Sequence, residues 1–167
     1  MLDYNQVLVK ALEKVIEEYR LERIRLYSER DLQAHLFSEC LGLMRKEGFK
    51  TPFEIYADKS VFEKRRKIDI VLGDDKVLVE LKLEPDYYDI SKPVVFSTIK
   101  EAGGLGYGSV EEDLLKIKDY AKKSKYAHFI MLDEDGRHYR NIKGEWKIMT
   151  VRGARRYWLH VHHKLMQ

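Results

Sequence analysis

Residues 68–82, IDIVLGDDKVLVELK, form two short apolar segments joined by a Gly-Asp-Asp turn. Three charged side chains, Asp69, Glu80 and Lys82, are set inside the apolar segments. Isoleucine, valine and leucine fill both alternating faces, which is typical of strands that are covered on both sides. A charged side chain is costly to bury in such a strand unless it is paired or binds a metal. The pattern therefore predicts a buried β-hairpin that carries a polar site.

The turn predicts which residues of the hairpin face one another. If residues 74–75 form a two-residue loop, Asp69 lies directly opposite Glu80, with the two β-carbons about 5 Å apart. Because side chains alternate along a strand, Glu80 and Lys82 share one face while Leu81 points to the other. All three charged side chains are thus expected to meet on one patch of the sheet.

The patch favours a divalent cation. Two carboxylates that lie so close repel each other unless a cation sits between them, and hard oxygen ligands suit Mg²⁺ or Mn²⁺. Lys82 would then orient an attacking water or neutralise charge that develops on a phosphate. The alternative is a surface hairpin in which Glu80 and Lys82 form an ordinary cross-strand ion pair, as exposed antiparallel strands often do.

Asp69, ten intervening residues and then Glu80-Leu81-Lys82 resemble the motif of the PD-(D/E)xK nuclease superfamily, with Ile68 in the place of the proline. The order of elements over about residues 28–133 matches the resemblance. It implies an α/β protein with a restriction-endonuclease-like core, in which helices flank a mixed central sheet in the order αβββαβ. An extra N-terminal helix and C-terminal strands or a helix would complete one domain over residues 1–167.

The resemblance also implies a function, a metal-dependent DNA nuclease with endonuclease activity. Asp69 and Glu80 would bind Mg²⁺ or Mn²⁺ with the backbone carbonyl of Leu81, Glu29 would complete the metal site, and Lys82 would orient the water. Many such nucleases act as homodimers, so a dimer is expected by analogy. The alternative function is a catalytically inactive nucleic-acid-binding or interaction module on the same fold.

The choice of Glu29 rests on helix phase. A helix is predicted to begin at Ser28, with Asp31 in the capping-box position. At about 100° per residue, Glu29 falls at about 60° from Leu32, inside the apolar stripe, whereas Glu39 falls at about 340°, on its edge. A glutamate inside a core-facing stripe is the more unusual of the two. Glu54 remains a further candidate, and Gln33 could hydrogen-bond a metal-bound water.

Basic residues near the motif are candidates for binding the DNA backbone. The net charge of +3 permits nucleic-acid binding without requiring it. We predict phosphate contacts from a basic run that enters the Asp69 strand and from one lysine of a later helix, namely Lys64, Arg65, Arg66, Lys67 and Lys116. The plainer interpretation of these residues is a solvated surface.

Composition limits the class of protein. A chain of 167 residues with 44% hydrophobic and 35% charged residues is typical of one globular domain. It has no apolar run as long as a membrane span and no signal-peptide pattern. The single cysteine, Cys40, excludes an internal disulfide, so we expect a cytoplasmic location.

The rest of the chain is predicted from periodicity and turn residues. Helices are expected over residues 3–25, 28–48 and 109–124, and strands over 53–56, 126–132, 137–142 and 145–151. Residues 102–108 are glycine-rich and are expected to form a mobile flap or a plain loop. Residues 153–166 are apolar and basic, and a helix is expected there.

Overall fold

The structure, a computed structural model, describes residues 3–47, 55–60, 67–74, 76–84, 110–133, 147–152 and 158–166. Over these residues the chain forms three helices and six strands. In chain order they are α1 (Tyr4–Arg20), α2 (Glu29–Lys46), β1 (Ile55–Ser60), β2 (Lys67–Leu72), β3 (Val77–Glu84), α3 (Val110–Ala121), β4 (Tyr126–Asp133), β5 (Lys147–Arg152) and β6 (Trp158–Met166).

The strands form one mixed sheet in the order β1-β2-β3-β4-β6-β5. Strands β3 and β4 are parallel, and every other neighbouring pair is antiparallel. Helix α3 lies between β3 and β4 in the chain, as the crossover between two parallel strands requires. The α/β class and the mixed central sheet are therefore confirmed, and the elements from α2 to β4 follow the order αβββαβ.

Two apolar cores cover the two faces of the sheet. On one face, α1 and α2 pack residues such as Leu8 and Leu36 against Ile70 and Val79. On the other face, Ile117 and Tyr120 of α3 pack against Val71, Leu78, Phe129 and their neighbours. Strands β2, β3 and β4 are therefore covered on both sides, which explains why their sequences are apolar at nearly every position.

Helix α2 begins with the expected capping box. The Ser28 hydroxyl accepts a hydrogen bond from the Asp31 amide at 3.3 Å, and the Asp31 carboxylate accepts one from the Ser28 amide at 2.8 Å. The same carboxylate oxygen accepts from the Tyr27 amide at 2.9 Å. These bonds satisfy amides that would otherwise lack partners at the helix start. They also fix the position of Glu29, the first residue of the helix.

The β2–β3 hairpin has the predicted register over its three described pairs, and the expected pair of Asp69 with Glu80 is not among them. Leu72 pairs with Val77, and the ladder continues to the pair of Ile70 and Val79. The turn has positive φ at Gly73 and Asp74, 64° and 49°, and Lys76 N–H donates to the Gly73 carbonyl at 3.2 Å. A β-carbon on Gly73 would collide with the ring of Tyr4 from α1, so this glycine is needed both for its backbone angle and for its small size.

Of the strands or helix expected at the C-terminal end, the helix is wrong over residues 158–166 and a strand is confirmed. Residues 158–166 form strand β6, which pairs with β4 on one side and with β5 on the other. Hydrogen bonds to two neighbouring strands outweigh the local preference of a short apolar and basic segment. The strand predicted over 137–142 and the glycine-rich segment 102–108 lie outside the described residues.

A membrane-spanning helix would have to be long and apolar, and none of the helices in the described part of the chain is both.

We predict that Ser28→Ala lowers the free energy of unfolding by about 1 kcal/mol, because the Asp31 amide loses the Ser28 hydroxyl as an acceptor. Urea denaturation followed by circular dichroism measures this change. Ser38→Ala is the matched control, since Ser38 is an exposed residue of the same helix and alanine has the higher helix propensity. Equal midpoints for the two variants would show that the capping box does not stabilise α2.

Candidate active site

Charged side chains from four elements meet where β2 and β3 separate after their paired segment. Asp69 comes from β2, Glu80 and Lys82 from β3, and Glu29 from the first turn of α2. Helix α3 adds two further residues that contact the β3 pair, Asp113 and Lys116.

Asp69 lies at a point where the regular alternation of side chains along β2 is interrupted. Ile68 packs in the core under α3, whereas Ile70 packs in the core under α1 and α2. In a regular strand these two residues would share one face. The Asp69 carboxylate accepts a hydrogen bond from the Leu81 amide at 2.6 Å, and Gln33 of α2 donates its side-chain amide to the Asp69 carbonyl at 2.8 Å. The first bond fixes Asp69 against β3, and the second fixes it against α2.

Glu80 is buried, with 5% of its surface exposed. One carboxylate oxygen accepts from the Lys116 ammonium at 2.5 Å. The other oxygen, Oε2, is buried and has no hydrogen-bond partner among the described residues. Burial, together with the nearby charge of Asp69, raises the pKa of Glu80 to about 8, although Lys116 acts in the opposite direction. Glu80 is therefore a buried acceptor whose charge is only partly compensated.

Lys82 is the second buried charge of β3, with 4% of its surface exposed. Its Nζ lies 2.7 Å from the Asp113 carboxylate and 3.7 Å from that of Glu29. Burial alone would lower the pKa of Lys82, but the negative charges of Glu29 and Asp113 raise it above its ordinary value. Lys82 thus keeps its positive charge in the interior.

The structure brings Glu29 to this cluster and places Glu39 elsewhere. The Glu29 side chain is 39% exposed and lies at the rim, beside Lys82. Burial raises the pKa of Glu29 to about 7, and the charges of Asp69 and Asp113 add to the rise while Lys82 opposes it. Glu39 instead forms an ion pair with Lys14 of α1 at 2.7 Å.

Asp113 is the residue that sequence reasoning missed. Asp113 lies beside the apolar stripe of α3, and nothing local distinguishes it from a solvated helix carboxylate. Its relation to Lys116 is the available signal, because residues at i and i+3 lie on one side of a helix. The charges of this helical pair are complementary to those of Glu80 and Lys82 at i and i+2 on the strand.

The predicted DNA-binding residues are placed only in part. Lys67 is exposed at the start of β2, and Lys116 is turned inward to Glu80 with 14% of its side chain exposed. Their contacts with DNA stay predictions. Lys64, Arg65 and Arg66 lie outside the described residues, as does Glu54.

The side chains at this site fit a cation that is bound by few protein ligands. Asp69 and Glu80 offer carboxylate oxygens, and Oε2 of Glu80, which has no hydrogen-bond partner in the described part of the chain, can accept a further bond. Within the described ranges, no group of three or more histidine, cysteine, aspartate or glutamate side chains is already arranged around one point. The carboxylates instead contact the Leu81 amide, Lys116 and Lys82. Two carboxylates with waters and substrate phosphate form a usual Mg²⁺ environment.

We predict that Glu80→Gln stabilises the metal-free protein at high pH. Glu80 has an ordinary pKa of 4.5 and a folded pKa of about 8. The folded state therefore keeps a proton that the unfolded chain releases, and stability is lost as pH rises from 4.5 towards 8. The neutral glutamine removes this loss. In EDTA at pH 8.5 the variant should gain on the order of 1–3 kcal/mol, and at pH 4.5 almost nothing.

Denaturation in urea at the two pH values measures this difference. Glu39→Gln is the control, since its ion pair with Lys14 lies on the surface. A stability change of the same size at both pH values would show that the charge of Glu80 is not the cause.

Comparison with known proteins finds no match for this chain. No protein-family model matches the chain, no curated protein matches it, and no solved structure matches it.

Proposed function

We propose that this protein is a Mg²⁺- or Mn²⁺-dependent nuclease that hydrolyses phosphodiester bonds of DNA on a restriction-endonuclease-like fold. The observation that carries the proposal is the cluster of Asp69, Glu80 and Lys82 at the end of the paired β2–β3 segment. It places the half-buried carboxylate of Asp69 beside a buried carboxylate and a buried ammonium, and one oxygen of the buried carboxylate has no hydrogen-bond partner among the described residues. Such an arrangement costs stability and is typical of functional sites.

The order and pairing of the elements support the fold that the motif implies. From α2 to β4 the elements follow the order αβββαβ, and the motif residues lie on a hairpin inside a mixed sheet. Support from fold alone is an analogy, since one fold serves many functions. The chemistry of the site therefore carries more weight than the topology.

Each site residue has a defined role in this proposal. Asp69 and Glu80 would hold the cation with the Leu81 carbonyl, and Glu29 would bind at its rim through a water or directly. The bound cation would supply Lewis acidity and lower the pKa of a bound water. Lys82 would orient that water for in-line attack and stabilise the negative charge that develops on the phosphate.

The substrate would be held by basic residues around the site. Lys67 begins the strand that carries Asp69, and Lys64, Arg65 and Arg66 precede it in sequence. Positive charge there would offset the repulsion between a polyanionic strand and the site carboxylates. A homodimer would give two sites for the two strands of a duplex, which is an expectation from symmetry and analogy.

The competing function is a module that binds nucleic acid or a partner without cleaving it. The pairs of Lys116 with Glu80 and of Lys82 with Asp113 favour this alternative, because they neutralise charge without a metal. Against it, a network that served structure alone would be expected to satisfy its buried polar atoms. Glu80 Oε2 lacks a partner within the described part of the chain, and the pKa of Glu80 is raised to about 8.

We predict that the wild-type protein cleaves DNA with Mg²⁺ or Mn²⁺ and not with EDTA. Labelled single-stranded, duplex, flapped and four-way-junction DNA are incubated with each metal and resolved on denaturing gels. Asp69→Asn, Glu80→Gln and Lys82→Met should each reduce the cleavage rate about 100-fold or more, because each removes a group that contacts the cation or the reacting water. Glu39→Gln should cleave at the wild-type rate.

Binding assays in Ca²⁺ separate the two functions. Retained DNA affinity with no cleavage of any substrate by the wild-type protein would favour the binding module. Full cleavage by the Asp69→Asn variant would refute the assigned site.

A further inference from the structure

Asp113 makes the shortest described contact with the ammonium of Lys82. The two groups are 2.7 Å apart, whereas the carboxylate of Glu29 is 1.0 Å further away at 3.7 Å. Asp113 is itself buried, with 8% of its surface exposed. A buried carboxylate and a buried ammonium at this distance form a charge-assisted hydrogen bond, which is stronger and more directional than a surface ion pair.

A lysine needs such a partner to act at one fixed point. Its side chain is flexible, and its ammonium is strongly hydrated in water, so burial without a partner is costly. Asp113 comes from α3, an element separate from the β2–β3 hairpin and from α2. It therefore determines the position of Nζ independently of the residues that are assigned to the cation.

The same contact gives the two carboxylates near Lys82 different positions. Because Asp113 takes the close position, Glu29 stays at the longer distance and at the exposed rim, with 39% of its side chain accessible. Glu29 is then available to a cation or its water. Without Asp113, Glu29 would be the nearest described carboxylate to Lys82 and would be expected to close onto it.

We propose that Asp113 is a positioning residue, which holds the ammonium of Lys82 where the reaction needs it and keeps the contact of Glu29 with that ammonium at the longer distance. This inference rests on the proposed nuclease function. Asp113 contacts neither substrate nor cation in the proposal and acts only through Lys82. Its removal should therefore slow the chemical step without weakening the binding of DNA or of the metal.

The first test compares Asp113→Asn with Asp119→Asn. Asp119 is the matched control, because it lies on the same helix and forms an exposed ion pair with Lys122 at 3.4 Å. Asp113→Asn should lower kcat for DNA cleavage about 10- to 100-fold, as displacements of about 1 Å can do, and leave KM within about twofold. Asp119→Asn should match the wild type. The dissociation constant for Mn²⁺ alone, from calorimetry, should stay within about threefold for both variants.

The second test is a double-mutant cycle with Lys82→Met. If Asp113 acts through Lys82, adding Asp113→Asn to Lys82→Met should cause no further loss of kcat beyond about twofold. The double variant also removes both buried charges together, so it remains informative if Asp113→Asn alone is too unstable to purify. Additive losses, a kcat for Asp113→Asn equal to that of the wild type, or a raised KM with unchanged kcat would each overturn the inference.

A third measurement separates this inference from the nuclease function. Acetylation of lysines with a limiting reagent, followed by mass spectrometry, reports how firmly Lys82 is held. Asp113→Asn should speed modification of Lys82 about tenfold, because a paired ammonium must first be released, and Asp119→Asn should leave it unchanged. If the wild-type protein cleaves nothing, faster labelling still supports the positioning of Lys82 by Asp113. Unchanged labelling overturns it.

Discussion

Two opposite charges in the middle of a buried strand determine much of this structure. Glu80 and Lys82 of β3 are both under 6% exposed, and their charges are met by Lys116 and Asp113 of α3. The helix is therefore held over β3 in one position, because a shift by two strand residues would set the carboxylates of Glu80 and Asp113 against each other. This requirement links the crossover between the parallel strands to the chemistry of the site.

The parts of the site that local rules determine could be predicted. The hairpin register followed from turn length and strand alternation, and the choice of Glu29 over Glu39 agrees with where helix phase places them. The features that could not be predicted depend on partners that are distant in sequence. Strand β6 forms because two other strands flank it, and Asp113 meets Lys82 across 31 residues of sequence. Neither relation leaves a periodic signal in the segment itself.

The electrostatics of the cluster oppose the stability of the fold. Burial and like charges raise the pKa of Glu80 to about 8 and that of Glu29 to about 7. The folded state would be more stable with neutral side chains at these positions. Carboxylates at these positions agree with the proposed cation site, because a bound cation would relieve the repulsion between them.

Tyr4 at the start of α1 has a role that the motif region does not reveal. Its ring lies against Gly73 in the β2–β3 turn, and Lys76 sits over the ring at 5.6 Å. Helix α1 buries seven residues against the same core that supports the hairpin. A domain cut to residues 28–133 would contain each proposed site residue. It would still lose the Tyr4 ring that packs against the turn of the hairpin. The boundaries of the unit that supports the candidate site are therefore set by packing and lie well outside the motif.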